Sequence, residues 1–199
     1  MKKLQFFDTG HRYELGGVEI PSVSEVIRFL SREVYGEIDK YILDNAADRG
    51  TRVHKATEVL DALGTVDCDD DIVGYVSAYA RFRREHVVEW DAVELPLAHA
   101  SGRYAGTIDR RGLLDGDYCT LDIKSSAAVK KTLVKAQLNG YEDMARSNGL
   151  PSASKLYCLQ LKPTGKYALY PVAIDNAEFA ACLALHEAAN RKHGRMRIE

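Results

Sequence analysis

Apolar residues in the first half of the chain recur at helical spacing, after short segments that alternate as strands do. Alternation around glycine-containing turns predicts short strands between Leu4 and Val18. Ser22 and Glu25 have the spacing of a capping box, which opens a helix toward Leu30. Further helical stretches follow: one through Tyr41–Leu43 that Arg49-Gly50 breaks, one from Thr51 to Leu63 that Gly64 ends, and one from Asp70 to Glu89.

The second half of the chain combines strand and helix patterns. Strands are predicted at Ala92–Ala98, Arg103–Arg111 and Tyr118–Lys124, then a helix at Thr132–Ser147, strands at Lys155–Leu161 and Tyr167–Ile174, and a last helix from Asp175 toward His193. This order predicts an α/β (α+β) fold in which helices flank a central mixed sheet, with an N-terminal helical and hairpin extension. No repeat or linker divides the chain, so we expect one domain over residues 1–199 with its core roughly at residues 50–175.

Composition narrows the classes of partner. The 199 residues carry a formal net charge of −2, so the chain lacks the overall basicity of a passive nucleic-acid binder, and any DNA contact must be local. The 4 cysteines are scattered without a C-x-x-C pair, which argues against a zinc site or an iron–sulfur cluster. No apolar run is long enough for a membrane span or a signal peptide, so we expect a cytoplasmic location and no membrane partner.

The most informative local pattern is an Asp-Gly turn between two apolar-rich strands. Asp115-Gly116 predicts a tight hairpin. A turn centred there places Asp109 directly opposite Asp122 and Thr107 opposite Lys124. Because side chains alternate along a strand, Asp109, Asp122 and Lys124 share one face. The other face, which is expected to meet the core, carries Ile108, Leu121 and Ile123.

Two carboxylates that face each other across a hairpin point to a bound cation. Asp109 and Asp122 would repel each other, and a divalent cation between them removes that repulsion. Lys124 beside them offers a positive charge to a phosphate group. The arrangement favours metal-dependent chemistry on a phosphodiester. The alternative is a solvated hairpin with surface carboxylates, which the Asp-x-Lys tripeptide alone does not exclude.

Features elsewhere in the chain supply further polar groups. His54 and Glu58 lie one helical turn apart, so Glu58 could orient a ligating imidazole or a water. Gln137 and Tyr141 have the same spacing on the helix after the hairpin. Glu94 pairs with Thr107 if the preceding turn centres on Ala100-Ser101, which brings it near Asp109. A stretch without acidic residues contains Lys124, Lys130, Lys131 and Lys135, suited to phosphate contacts or to a solvated face.

These motifs, taken in order, carry a family resemblance. They are Gly50-Thr51-x-x-His54-x-x-x-Glu58, Gly106-Thr107-Ile108-Asp109, Asp122-Ile123-Lys124 and Gln137-x-x-x-Tyr141. The set resembles the PD-(D/E)XK nuclease superfamily, and in particular the RecB-type branch that includes stand-alone phage exonucleases. Pro21-Ser22-Val23-Ser24 also resembles an N-terminal segment of such proteins. Ile108 stands where the family's nominal proline precedes the first aspartate.

The resemblance implies a restriction-endonuclease-like core and a role for each motif residue. Metal ligands would be His54, Asp109, Asp122 and the backbone carbonyl of Ile123, with Mg2+ as cofactor and Mn2+ as a substitute. Asp109, Asp122 and Lys124 would be catalytic, Lys124 by positioning or activating the attacking water. Substrate would be bound by Gln137, Tyr141, Lys130, Lys131 and Lys135, while Glu58 and Glu94 would support the ligands.

The expected function is that of a metal-dependent deoxyribonuclease. The resemblance favours an exonuclease that acts at DNA ends in recombination or repair, in a bacterial cell or a phage-infected host. Its partners would be DNA and a single-strand annealing or other recombination protein. A structure-specific endonuclease on the same scaffold is one alternative. A catalytically idle relative that binds or regulates is another, although the retention of His54, Asp109, Asp122 and Lys124 weighs against it.

Overall fold

The computed structural model describes residues 3–7, 12–35 and 40–191 as an α+β structure. Three short strands come first: β1 (Leu4–Phe7), β2 (Arg12–Leu15) and β3 (Val18–Ile20). Four helices follow: α1 (Val23–Val26), α2 (Arg28–Tyr35), α3 (Lys40–Leu63) and α4 (Val73–Glu85). The remaining elements are β4 (Val88–Ala98), β5 (Ala105–Leu114), β6 (Asp117–Lys124), α5 (Lys131–Ser147), β7 (Lys155–Leu161), β8 (Tyr167–Val172) and α6 (Ala177–Asn190).

The strands form two sheets, and the larger one is mixed as predicted. Strands β1, β2 and β3 make a separate antiparallel sheet, while β4 to β8 make a five-stranded sheet in chain order. In the larger sheet only β6 and β7 run parallel, because α5 connects them as a crossover. Within the described ranges, no helix is both long enough and apolar enough to cross a membrane.

Helices cover both faces of the five-stranded sheet and bury a separate apolar cluster on each. On one face, α3 and α4 pack against the sheet through Val53, Tyr79, Phe82, Leu121 and Ile123. On the other face, α1, α5 and α6 contribute the cluster of Val23, Ile108, Ala136, Met144 and Phe179. The sheet thus forms a middle layer, and a site at one end of its central strands is reached from helices on both sides.

The helix boundaries correct the sequence expectations at several points. The predicted break at Arg49-Gly50 is wrong, since α3 runs through it without interruption. A helical glycine costs only about 1 kcal/mol, which tertiary packing offsets here. The helix α4 is shorter at both ends than predicted, because the chain leaves it at His86 to pair Val88 with Leu114. The capping box of Ser22 and Glu25 is confirmed, and the expected helix end at His193 lies outside the described residues.

The hairpin register is confirmed up to the point where β5 and β6 separate. Pairing runs from Leu114–Asp117 to Arg110–Leu121, as the turn predicts. The expected pair of Asp109 and Asp122 lies one step beyond this ladder. There the side chain of Asp109 replaces the backbone, its Oδ2 accepting a hydrogen bond from the Ile123 N–H at 2.6 Å.

The alternation expected for β5 fails beyond that point, and the neighbouring strand is irregular at the same level. Glu94 in β4 has a φ of 47°, which interrupts the regular strand. Ile108, expected on the same face as Leu121 and Ile123, packs in the cluster on the opposite face. Thr107 pairs with Pro96, and the predicted pairing of Thr107 with Glu94 is therefore wrong by two residues.

Candidate metal and phosphodiester site

A cavity of about 860 Å3 opens where α3, β4, β5, β6 and α5 meet. Every site residue expected from the sequence lines it, except Lys130, Lys131 and Lys135. The long helix α3 forms one wall of the cavity, the separating ends of β5 and β6 form its floor, and α5 forms the opposite wall. Residues from distant parts of the sequence are therefore brought to one concave surface, as a ligand site requires.

Three titratable side chains form a compact group in this cavity. Donor atoms of His54, Glu94 and Asp109 all lie within 4.8 Å of one another. The Nδ1 atom of His54 lies 3.2 Å from Glu94 Oε1 and 3.7 Å from Asp109 Oδ2. Its Nε2 atom lies 3.1 Å from the carbonyl oxygen of Ile123. The imidazole thus stands between two carboxylates and the backbone carbonyl that the resemblance names as a ligand.

A chain of hydrogen bonds continues from Asp122 to α5. The ammonium of Lys124 donates to Asp122 Oδ1 at 2.9 Å and to Gln137 Oε1 at 2.9 Å. The amide of Gln137 then donates to the Tyr141 hydroxyl at 2.9 Å. Gly106 makes room for the Tyr141 ring, because a Cβ atom at this glycine would lie 2.9 Å from Tyr141 Cε1. These contacts fix the position of the Lys124 ammonium beside the carboxylates.

Burial and charge together hold a proton in the cluster. Burial opposes a positive charge on His54, but the carboxylates of Asp109 and Glu94 outweigh it and raise the pKa of the imidazole to about 9. Burial also raises the pKa of Asp109. Burial raises the pKa of Asp122 to about 6, although the nearby ammonium of Lys124 acts to lower it. At neutral pH His54 is therefore an imidazolium that partly neutralises the carboxylates.

The donor set fits a hard divalent cation. Carboxylate and carbonyl oxygens with one imidazole are ligands that Mg2+ and Mn2+ accept. The Oδ2 atom of Asp122 is buried and accepts no hydrogen bond, although it lies 2.8 Å from Lys124 Nζ. The ammonium of Lys124 therefore offsets the charge of this oxygen through an ion pair. Asp122 stands outside the compact group of His54, Glu94 and Asp109, so its role as a ligand stays a prediction.

Metal binding should release a proton from His54, and affinity should therefore rise with pH. Because the pKa of this imidazole is about 9, a ligating His54 must lose its proton at neutral pH. We expect roughly tenfold tighter binding of Mn2+ per pH unit between pH 7 and about 9. Calorimetry at pH 7.5 in two buffers with different ionisation heats measures the released proton.

A histidine outside the cavity provides the control for this titration. Replacing His99, which contacts Ser101 and Asp143, should leave the proton release unchanged. Metal affinity that stays constant from pH 7 to 9 would contradict the assignment of His54. In the metal-free protein, protonated His54 stabilises the fold fully below its ordinary pKa of 6.5, and this contribution is lost as the pH rises through about 9.

Arg110 is a component of the site that no sequence motif indicates. Its side chain is 0% exposed and donates to Glu94 at 3.1 Å, to Asp61 at 2.7 Å and to Thr57 at 3.0 Å. It also donates to the carbonyl of Asp109 at 2.7 Å. Arg110 thereby holds Glu94 against His54. A signal was present in the sequence, since strand alternation places this arginine on a buried face, where a charge requires partners.

Four residues expected at the site have other surroundings. Lys135 contacts Asp175 at 2.6 Å and Glu178 at 2.8 Å, so its charge is already paired. Lys131 lines a second, smaller cavity of about 300 Å3, and Lys130 is the residue before α5. The carboxylate of Glu58 lines the main cavity but pairs with the ammonium of Lys55 at 2.7 Å. Glu58 was expected to orient His54, but the carboxylate that contacts this imidazole is that of Glu94.

Comparisons with known proteins add no family to this description. A scan against protein-family models finds no match for the chain, and a search of curated proteins finds no similar sequence. The chemistry of the site is therefore argued from its residues, their contacts and their charges.

Proposed function

We propose that the protein is a metal-dependent nuclease of the PD-(D/E)XK type, which hydrolyses phosphodiester bonds of DNA. The observation that carries the proposal is the clustering of His54, Glu94 and Asp109 beside the Asp122–Lys124 pair in one open cavity. Carboxylates for a cation and an ammonium for a phosphate are the two requirements of this reaction. The motif resemblance, with its RecB-type order, supports the same class and favours an exonuclease in recombination or repair.

The residues of the chain divide the work between binding and positioning. His54, Asp109, Asp122 and the Ile123 carbonyl would hold Mg2+ or Mn2+. When bound, such a cation supplies Lewis acidity to the scissile phosphate and lowers the pKa of an attacking water. Lys124 places a positive charge where negative charge develops on the phosphate. Gln137 holds this ammonium in place and is itself held by Tyr141.

A cleavage assay on labelled DNA tests the proposal directly. Linear DNA labelled at its 5′ or 3′ end, together with closed circular DNA, is incubated with Mg2+, with Mn2+ and with EDTA. We expect cleavage with either metal, none in EDTA, and release of nucleotides from linear DNA only. Cleavage of the circle would assign the site to an endonuclease. Failure to cut any DNA with either metal would contradict the proposal.

A further inference from the structure

An aromatic side chain lines the same cavity as the candidate metal site. Phe6 of β1 and Pro96 of β4 both contribute to the wall, and their rings add to the apolar part of a lining that also carries carboxylates and an ammonium. Phe6 is half-buried, whereas its neighbour Tyr13 is 1% exposed and belongs to the core. Part of the Phe6 ring is therefore accessible from the cavity. We call Phe6 and Pro96 the apolar wall.

The apolar wall is fixed close to the carboxylates by a short series of contacts. The ring of Phe6 packs on that of Tyr13, with centroids 4.9 Å apart. The Tyr13 hydroxyl lies 2.8 Å from Thr107 Oγ1, and Thr107 pairs with Pro96. Thr107 itself lines the cavity and precedes Asp109 by two residues, about 7 Å along a strand. The wall is thus connected through Tyr13 and Thr107 to the strand that carries Asp109, and it lines the same cavity.

The small N-terminal sheet that carries Phe6 is also anchored to β5. Ala105 N donates to the carbonyl of Pro21 at 2.9 Å, and Ser22 forms a parallel bridge with Ala105. Tyr13 and Ala105 lie in a common apolar cluster, with Phe6 packed against it. The first strand therefore has a defined position relative to the strand of Asp109. A ring held in this way can act as a binding surface at low cost in conformational entropy.

We propose that the apolar wall binds the base of an unpaired nucleotide next to the scissile phosphate. This inference rests on the proposed function and deepens it. Aromatic rings bind bases by stacking on their faces, and this contact tolerates any sequence. Inside a duplex both faces of a base are covered by its neighbours, so only a single strand or a frayed end can present one. The substrate is therefore single-stranded DNA or a duplex whose terminal nucleotides have separated.

Loss of the Phe6 ring should weaken binding of single strands while the chemical step is retained. For Phe6→Leu we expect KM for a single-stranded oligonucleotide to rise about 5- to 150-fold, with a smaller change in kcat. An oligonucleotide that contains 2-aminopurine reports stacking directly, since the fluorescence of this base is quenched by a stacked ring. With Ca2+ in place of Mg2+, wild type and Phe6→Trp should quench it, and Phe6→Leu should not.

Phe29 provides the matched control. It lies on α2, is 57% exposed and does not line the cavity, so Phe29→Leu should quench and cleave as wild type does. Thermal melting checks the fold of each variant, and Phe6→Met replaces Phe6→Leu if the latter unfolds. Unchanged quenching and KM in the ring-deficient variant would overturn the inference. The inference would also be overturned if the wild-type protein cleaved a single strand and a duplex with hairpin-closed ends at equal rates.

These outcomes separate the inference from the function on which it rests. A wild-type protein that cleaves no DNA with Mg2+ or Mn2+ would contradict the proposed nuclease. If the wild-type protein cleaves DNA and Phe6→Leu has the same KM and the same quenching, only the role of the apolar wall is contradicted.

Discussion

Replacing Asp122 by Asn should reduce metal-dependent cleavage about a thousandfold and should at the same time stabilise the protein. The variant loses the negative charge that a cation requires but keeps an oxygen for the Lys124 ammonium. Burial raises the pKa of the Asp122 carboxyl to about 6, so keeping it ionised in the fold at a pH above that value costs free energy. Removing the charge should therefore increase the free energy of unfolding at pH 7.5 by on the order of 1–3 kcal/mol.

The pH dependence of this stabilisation makes the prediction specific. A carboxyl with a raised pKa costs nothing below its ordinary pKa of 3.8, and the cost is complete above about pH 6. The difference in unfolding free energy between Asp122→Asn and wild type should therefore appear between these values, as measured by denaturant titration without metal. Asp117→Asn, on the same strand but exposed, is the matched control and should change neither activity nor stability. Wild-type cleavage by Asp122→Asn would falsify the assignment.

Replacing Lys124 by Gln should separate metal binding from turnover. The glutamine keeps much of the stem and loses the charge, so cleavage should fall by about a hundredfold or more. Metal affinity should be retained or increased, because Asp122 loses its positive neighbour at 2.8 Å. Lys124→Arg should rescue poorly, since a planar guanidinium cannot replace a compact ammonium between Asp122 and Gln137.

Calorimetry with Mn2+ and single-turnover cleavage measure the two effects of Lys124→Gln independently. Lys131→Gln is the matched control, because this lysine lies on the smaller cavity. It should leave the chemical rate unchanged. If Lys124→Gln cleaves DNA at the wild-type rate, Lys124 is a salt-bridge partner of Asp122 and nothing more.

Local turn chemistry made the hairpin predictable, whereas its end depends on a neighbouring strand. Asp115-Gly116 specifies the pairing of β5 and β6 correctly as far as Arg110 and Leu121. Beyond that point Glu94 has a positive φ, and the Ile123 N–H donates to the side chain of Asp109 in place of a backbone carbonyl. Neither feature leaves a periodic signal, which is why Ile108 was assigned to the wrong face.

In the candidate site, too, local patterns were predictable and contacts between distant segments were not. Residues on one element at helical spacing, such as Gln137 and Tyr141, were correctly grouped and lie in hydrogen-bond contact. The lysines were grouped because they are close in sequence, but Lys135 meets acidic residues 40 and 43 positions later. The partners of Arg110 were missed because Asp61 and Thr57 lie 49 and 53 positions earlier in the sequence. Phe6 was missed because the cavity that it lines is assembled from distant segments. Spacing grouped Gln137 with Tyr141 correctly, whereas the partner of His54 is Glu94 on another strand and not Glu58 one helical turn away.

The side chain of Asp109 closes a strand end as well as facing the cavity. Its Oδ2 accepts the Ile123 N–H at the place where a backbone carbonyl would serve in a continuing ladder. A substitution that removes this acceptor, such as Asp109→Ala, should therefore weaken the junction between β5 and β6 at Ile123. This one carboxylate combines a structural hydrogen bond with a place in the candidate site, whereas Asp122 accepts a hydrogen bond from Lys124. Variation of the candidate cation site is accordingly better directed at Asp122 and Glu94, with Asp109 kept as a structural residue of the scaffold.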